Sequence, residues 1–264
     1  MSGRCAEHVA PAAPDFEALL GYVPRAGLLA ERVIAITGAA SGIGRALALA
    51  ASALGATVIA LDRDDDALES LRTTLLERRA PPPDIVVIDL AFATLTDYRS
   101  LAERLGRQYG RLDGLVNNAG LIGALSPFEH IDPAVWRQVM AVNLIAPFFL
   151  TQWCMPVLRR SPDPVLLFSL DRTERAFWGS YGVAKAGQEA LMHIVADEYH
   201  ALGSSPVRVL GIDPGAVETP GRHLHYPAEP TNVLPSPEAV IGPYLYALGA
   251  DARGLSNVVL RRAG

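Results

Sequence analysis

Seven short apolar runs recur along the chain from Arg32 onward: Val33–Ile36, Thr57–Leu61, Ile85–Ile88, Gly114–Val116, Val165–Phe168, Val207–Ile212 and Val258–Leu260. None alternates polar with apolar residues, so none reads as a strand with one wet face. Continuous apolar runs of this length are the pattern of strands covered on both faces. The stretches between them are long enough for a crossover helix, which a parallel pair of strands requires. The rhythm therefore predicts an α/β chain with a doubly wound, parallel, seven-stranded sheet. It continues almost to the C-terminus, which leaves no room for a second core. The expectation is one domain over residues 31–264, preceded by an N-terminal extension, 1–30, whose only patterned piece is Asp15–Tyr22.

Composition narrows the function classes. The 23 basic and 28 acidic residues give a net charge of −5, which argues against a nucleic-acid partner held by a basic surface. Only two cysteines occur, Cys5 and Cys154, so a disulfide framework is excluded and a reducing, cytoplasmic setting is expected. The N-terminus lacks an uninterrupted apolar segment of signal-peptide type. The most apolar window, Val139–Leu158, contains Asn143, Gln152, Pro147 and Pro156, and reads as a buried helix and not as a membrane span.

After the first run comes Thr37-Gly38-Ala39-Ala40-Ser41-Gly42-Ile43-Gly44, followed by a strong helix pattern from Arg45. A strand, a Gly-rich turn and a helix start aim backbone N–H groups and the positive helix end at a pyrophosphate. Gly38, Ser41, Gly42, Ile43 and Gly44 are thus candidate cofactor ligands. The spacing differs from the G-x-G-x-x-G fingerprint, and an ordinary Gly-rich turn is the plain alternative. Asp62 stands 18 residues past Gly44, at the end of the second run. A carboxylate at that place accepts the adenosine ribose hydroxyls and repels a 2′-phosphate, which favours NAD over NADP. Arg63 follows it and could pair with a 2′-phosphate, so NADP is not excluded.

The ordered set of motifs resembles the single-domain short-chain dehydrogenase/reductases. The match takes in TGAASGIG at Thr37–Gly44, Asp89 after the third run, Asn117-Asn118-Ala119-Gly120 after the fourth, Asn143, Tyr181-Gly182-Val183-Ala184-Lys185, and Pro214-Gly215-Ala216-Val217-Glu218-Thr219. The resemblance implies a seven-stranded Rossmann fold, a nicotinamide cofactor, and a homodimer or homotetramer formed through the helix of Trp136–Leu158 and the one after Tyr181. It places Asp89 near the adenine, Asn118, Ala119 and Gly120 along the cofactor, and Thr219 near the nicotinamide amide, with Leu90, Pro214, Gly215 and Val217 as further cofactor contacts.

Tyr181 and Lys185 are four residues apart, which puts both on one helix face. A phenol titrating near pH ~10 is a poor acid–base group at neutral pH, and a nearby ammonium lowers that value. The resemblance assigns Tyr181 as acid/base, Lys185 as its tuner and ribose anchor, Ser169 as the group that polarises the substrate oxygen, and Asn143 as holder of a relay water. Here the chain departs from the family: Ser169 is one residue nearer to Tyr181 than usual, and Leu170-Asp171 follow it in place of small residues. Thr173 and Ser180 are alternatives for the polariser.

The charged run Asp171–Arg175 reads as a solvated loop, with Arg172 or Arg175 as possible clamps for an anionic substrate. His223 and His225 lack further partners for a metal, so no metal site is expected. Phe177, Trp178 and Tyr226 are candidate walls of an apolar substrate pocket, under the Pro-rich loop Gly221–Pro237. The reading that unites these features is an NAD(P)-dependent oxidoreductase moving hydride between the dinucleotide and a secondary alcohol or ketone. The alternative is a dinucleotide-binding regulator or scaffold that has lost efficient catalysis. A nucleotide-sugar epimerase is disfavoured by the short chain after Thr219.

Overall fold

Each of the seven apolar runs is a strand, within a residue or so of its expected limits: β1 (Val33–Thr37), β2 (Thr57–Asp62), β3 (Asp84–Val87), β4 (Gly114–Asn117), β5 (Val165–Ser169), β6 (Arg208–Asp213) and β7 (Val258–Arg261). All pair in parallel, in the order β3-β2-β1-β4-β5-β6-β7. The computed structural model describes residues 13–173, 175–201, 207–230 and 233–263. Chain order reverses between β1 and β4, so a crevice opens beyond their carboxyl ends. Open α/β sheets bind ligands at that point.

Alternate strand residues feed two separate cores, which is why the runs are apolar throughout. On one face Ile34, Ile36, Val58, Ala60, Val116, Val165, Leu167 and Leu210 pack against α2 (Gly42–Ala53), α3 (Asp65–Glu77) and α9 (Gly242–Leu248). On the other, Ala35, Ile59, Leu61, Leu115, Leu166, Phe168 and Val209 meet α4 (Leu95–Tyr109), α6 (Ala146–Leu158) and α7 (Gly179–Ala201). Each fully buried aliphatic side chain contributes about 1.5–3 kcal/mol relative to exposure. Local signals start the helices. Asp64 caps α3 by accepting from Ala67 N–H, Thr94 and Asp97 form a capping box on α4, and Asp132 caps α5 (Pro133–Met140) ahead of a proline.

The segment expected as an extension is packed into the domain from residue 15 onward. Phe16 and Leu19 of α1 (Phe16–Leu20), with Leu28 and Leu29, are buried in the first core, and Gly242 of α9 lies close against the Leu19 carbonyl. The short spacing of its apolar residues hid this, because five residues of helix show little periodicity. Residues 1–12, with Cys5, lie outside the described part. The apolar window is the helical run Pro133–Leu158, in which α5 and α6 join through a π turn at Ala141–Ile145. By length and composition this run is apolar enough to cross a bilayer, yet half of its most apolar window is buried inside the fold. Cys154 on α6 is buried, which pushes its thiol up to about 12 and keeps it inert.

The first turn of α2 sits so close to the end of β1 that Gly44 has no room for a side chain: a Cβ there would run into the Gly38 carbonyl and the Asn118 amide. Gly44→Ala is expected to cost about 1–3 kcal/mol by overpacking. A thermal melt of the variant matching the parent would refute this close fit.

Candidate active site

The carboxyl ends of β1, β4 and β5 are tied together by side chains. Thr37 Oγ1 accepts from the N–H groups of Asn118 (2.9 Å) and Ala119 (3.0 Å), while its carbonyl accepts from Asn118 Nδ2 at 3.0 Å. Asn118 Oδ1 accepts from Ser169 Oγ at 3.1 Å, and Ser169 Oγ accepts from the hydroxyl of Tyr244 on α9, also at 3.1 Å. This chain of bonds fixes the floor of a cleft of about 520 Å³. Cofactor candidates from every motif line that cleft: Gly38, Ser41, Gly42 and Ile43 from the glycine loop; Asp62, Arg63, Asp89 and Leu90 at the ends of β2 and β3; Asn118, Ala119 and Gly120 after β4; Pro214, Gly215, Val217 and Thr219 after β6. Gly44 stands behind them, supporting the loop.

The loop is built as an anion cradle. Gly38 and Gly42 adopt left-handed backbone conformations, with φ of 68° and 52°. A Cβ on Gly38 would come within 2.9 Å of Ala119 Cα. Ser41 precedes α2 without capping it through its side chain, so the N–H groups of the first turn face the cleft unclaimed by a cap. These features fit the pyrophosphate of a nicotinamide dinucleotide. Asp62 is engaged as well: its carboxylate accepts from the N–H groups of Ala40 (3.1 Å), Arg63 (2.7 Å) and Asp64 (3.3 Å), which ties β2 to the loop.

At the other end of the cleft lie Tyr181 and Lys185 on α7, both buried. The lysine ammonium donates to the Ser169 carbonyl at 2.6 Å and to Gln188 Oε1 at 3.0 Å. Burial lowers its pKa to about 8, with Asp171 and Asp213 pulling the other way. Tyr181 differs from expectation. Its hydroxyl donates to Asp171 Oδ2 at 3.1 Å, and burial together with that carboxylate raises its pKa well above 10, the reverse of the lowering expected from the lysine. Lys185 Nζ lies 5.8 Å from the ring centre, bonded to other partners.

Ser169 is also placed differently. Its Oγ is held between Asn118 and Tyr244, and the group bonded to the Tyr181 hydroxyl is Asp171. The strand alternation explains this, since Ser169 follows Val165 and Leu167 onto the α9 side of β5, whereas Phe168 and Leu170 pack on the α7 side. Thr173 is buried with no partner for its Oγ among the described residues, and Ser180 is buried. Asn143 lies in the π turn and spends its amide on backbone: Nδ2 donates to the carbonyls of Leu121 (2.7 Å) and Val139 (2.8 Å), and Oδ1 accepts from Leu121 N–H (3.2 Å).

The remaining candidates separate. Trp178 lines the cleft and packs against Tyr181 and Tyr226, with ring centres 5.7 and 6.3 Å apart, while Phe177 is exposed. Arg175 stacks over Trp178. The loop expected to cover the substrate opens with a short helix, α8 (Pro220–His225), capped by Thr219 and bringing Arg222, Leu224 and His225 to the cleft. His223 pairs with Glu218. The charged run expected as a solvated loop instead brings Asp171 into the cleft and buries Thr173, while Gln188 and Tyr244 were not anticipated. Gln188 stands three residues after Lys185 on the same helix face, a signal that was available; no local pattern points to Tyr244.

The model of the short chain dehydrogenase family matches residues 32–229. The chain belongs to the short chain dehydrogenases. Among its relatives is the uncharacterized oxidoreductase YciK of Escherichia coli K12, 37% identical over 235 residues that cover 88% of this chain and 92% of YciK. A solved structure from Pseudomonas syringae is 40% identical, with a TM-score of 0.85 over 91% of this chain and 98% of that one. Another, from Escherichia coli CFT073, is complexed with NADPH; it is 36% identical, with a TM-score of 0.86 over 90% of this chain and 99% of its own. As a short chain dehydrogenase with these relatives, the protein is an NAD(P)-dependent oxidoreductase. The NAD preference read from Asp62 gains no support from a neighbour that carries NADPH.

Ser169→Ala would strand the buried Tyr244 hydroxyl and Asn118 Oδ1, at a cost of about 1–3 kcal/mol. A double-mutant cycle of Ser169→Ala with Tyr244→Phe is expected to show a coupling of about 1 kcal/mol in denaturant unfolding. Simple additivity would show that this bond does not contribute.

Proposed function

We propose that this dehydrogenase interconverts a secondary alcohol and a ketone, with Tyr181 as the group that gives or takes the proton at the substrate oxygen. The observation that carries the reading is the convergence of the Tyr181 hydroxyl and the Lys185 ammonium on the cleft that the glycine loop opens. When bound there, the nicotinamide dinucleotide supplies or accepts the hydride. The first turn of α2 would hold its pyrophosphate, Asp89 and Leu90 would flank the adenine, and Lys185 would reach the nicotinamide ribose, with Thr219 beyond it. Ser169 and Asn143 act in support, Ser169 by fixing Asn118 and Asn143 by fixing the loop at Leu121. Trp178 and Leu224 give the substrate end apolar walls, which suits a small organic carbonyl compound.

NADP(H) is the dinucleotide that the NADPH-bound neighbour supports, with Arg63 as the cation for its 2′-phosphate. Asp62 counts against that phosphate. Exposed Ile145 and Phe148 beside and on α6, with Val183 on α7, support a homodimer or homotetramer through these helices. The inert, buried Cys154 suits a reducing cytoplasm.

Tyr181→Phe is expected to cut turnover on a panel of cyclic and aryl ketones by about 10²–10⁴-fold while leaving NADPH binding nearly intact. Undiminished turnover would remove Tyr181 from the chemistry. Asp62→Ala should raise the ratio of NADP(H) to NAD(H) affinity about tenfold, read by thermal shift, and Arg63→Ala should lower it. If neither ratio moves, these two residues do not choose the cofactor.

A further inference from the structure

The Tyr181 hydroxyl has one hydrogen-bond partner in the described structure, the carboxylate of Asp171. Both residues line the dinucleotide cleft. Asp171 comes two residues after β5, on the stretch where the family carries small residues and this chain carries charge. A carboxylate that accepts from a phenol stabilises the phenol and resists its ionisation. Lys185, the cation that would favour phenolate, bonds instead to the Ser169 carbonyl and Gln188. Tyr181 is therefore bonded through its hydroxyl to a proton acceptor that shares its cleft.

The groups facing Asp171 set its charge from several elements. Lys185 of α7, Arg175 of the preceding loop and Arg222 of α8 favour the carboxylate, as does the bond from Tyr181. Asp213 at the end of β6 and burial oppose it, and burial dominates, so its pKa is raised above the ordinary carboxylate value. Asp213 is itself paired with Arg261 of β7 at 2.9 Å. Around Tyr181, Asp171, Asp213 and Tyr244 all work toward the phenol.

We propose that Asp171 is the proton terminus of this site: Tyr181 stays a phenol and relays a proton between the substrate oxygen and the Asp171 carboxyl group. The proposal rests on the acid/base reading of Tyr181 and extends it. In the oxidative direction the substrate O–H bond breaks and its proton goes to the Tyr181 oxygen. The proton of Tyr181 moves to Asp171 Oδ2 at the same time. The carbinol C–H bond breaks with its electron pair, as hydride, to the oxidised dinucleotide that the enzyme's activity supplies, and the C=O bond forms. Reduction runs the same transfers backward, starting from protonated Asp171. No phenolate forms in either direction, which suits a tyrosine buried beside two carboxylates.

The test follows the two protons separately. With aspartate labelled by ¹³C at its carboxyl carbon, the Asp171 resonance is assigned by its loss in Asp171→Asn and titrated in the parent and in Tyr181→Phe. The midpoint in the parent is expected above the ordinary ~3.9, and it should rise further, by about half a unit or more, when the phenol donor is removed. On the ketones of the panel above, Asp171→Asn is expected to lower kcat about 10²-fold and to lose the fall in reduction rate that accompanies Asp171 ionisation. Asp171→Glu should restore both, which a loss of packing alone would not permit. If Asp171→Asn fails to fold, Asp171→Ser carries the same expectations. An Asp171 midpoint that ignores Tyr181→Phe, or a parent-like kcat and pH profile in Asp171→Asn, overturns the proposal. Undiminished turnover in Tyr181→Phe overturns instead the acid/base reading on which it rests.

Discussion

The hydrogen bonds from Thr37 through Asn118 and Ser169 to Tyr244 are the constraint on which the rest of the site depends. They join the carboxyl ends of β1, β4 and β5 and anchor them to α9. All these groups are buried or nearly so, where an unpaired polar atom costs about 1–3 kcal/mol, so the chain of bonds admits few alternatives. With those strand ends fixed, the glycine loop lies against Ala119, the first turn of α2 faces the cleft, and the Ser169 carbonyl receives the Lys185 ammonium. One serine therefore serves twice, through its hydroxyl for the sheet and through its carbonyl for the lysine.

The layers that carry this arrangement were legible because parallel strands buried on both faces leave an unambiguous mark. Each apolar run became a strand, and alternate residues went to opposite cores. The glycine loop was equally legible, since Gly38 needs φ > 0 and Gly44 has no space for a Cβ. Local sequence is enough for such features because the cause is local: a turn, a close approach, a helix start.

Other parts of the site depend on contacts across the sheet. Ser169 was assigned to the substrate from its place at a strand end, but the side it faces follows from strand parity, and parity puts it toward Tyr244, 75 residues away. Tyr181 was expected to be tuned by the lysine one helical turn on. The nearer partner is Asp171, ten residues back, brought there by the path of the loop after β5. The N-terminal extension was underrated for a related reason, since Phe16 and Leu19 bury themselves on α9, far along the chain. The NAD preference weighed Asp62 as a ribose ligand without its bonds to Ala40, Arg63 and Asp64.

One cleft joins the glycine loop to Tyr181, so that a dinucleotide bound there would span both. A crystal structure of the chain with NADPH tests this most directly. The pyrophosphate is expected against the N–H groups of Gly42 and Ile43, and the nicotinamide ring beside the Tyr181 hydroxyl. A dinucleotide bound elsewhere, or bound at the loop with its nicotinamide turned away from Tyr181, would contradict it.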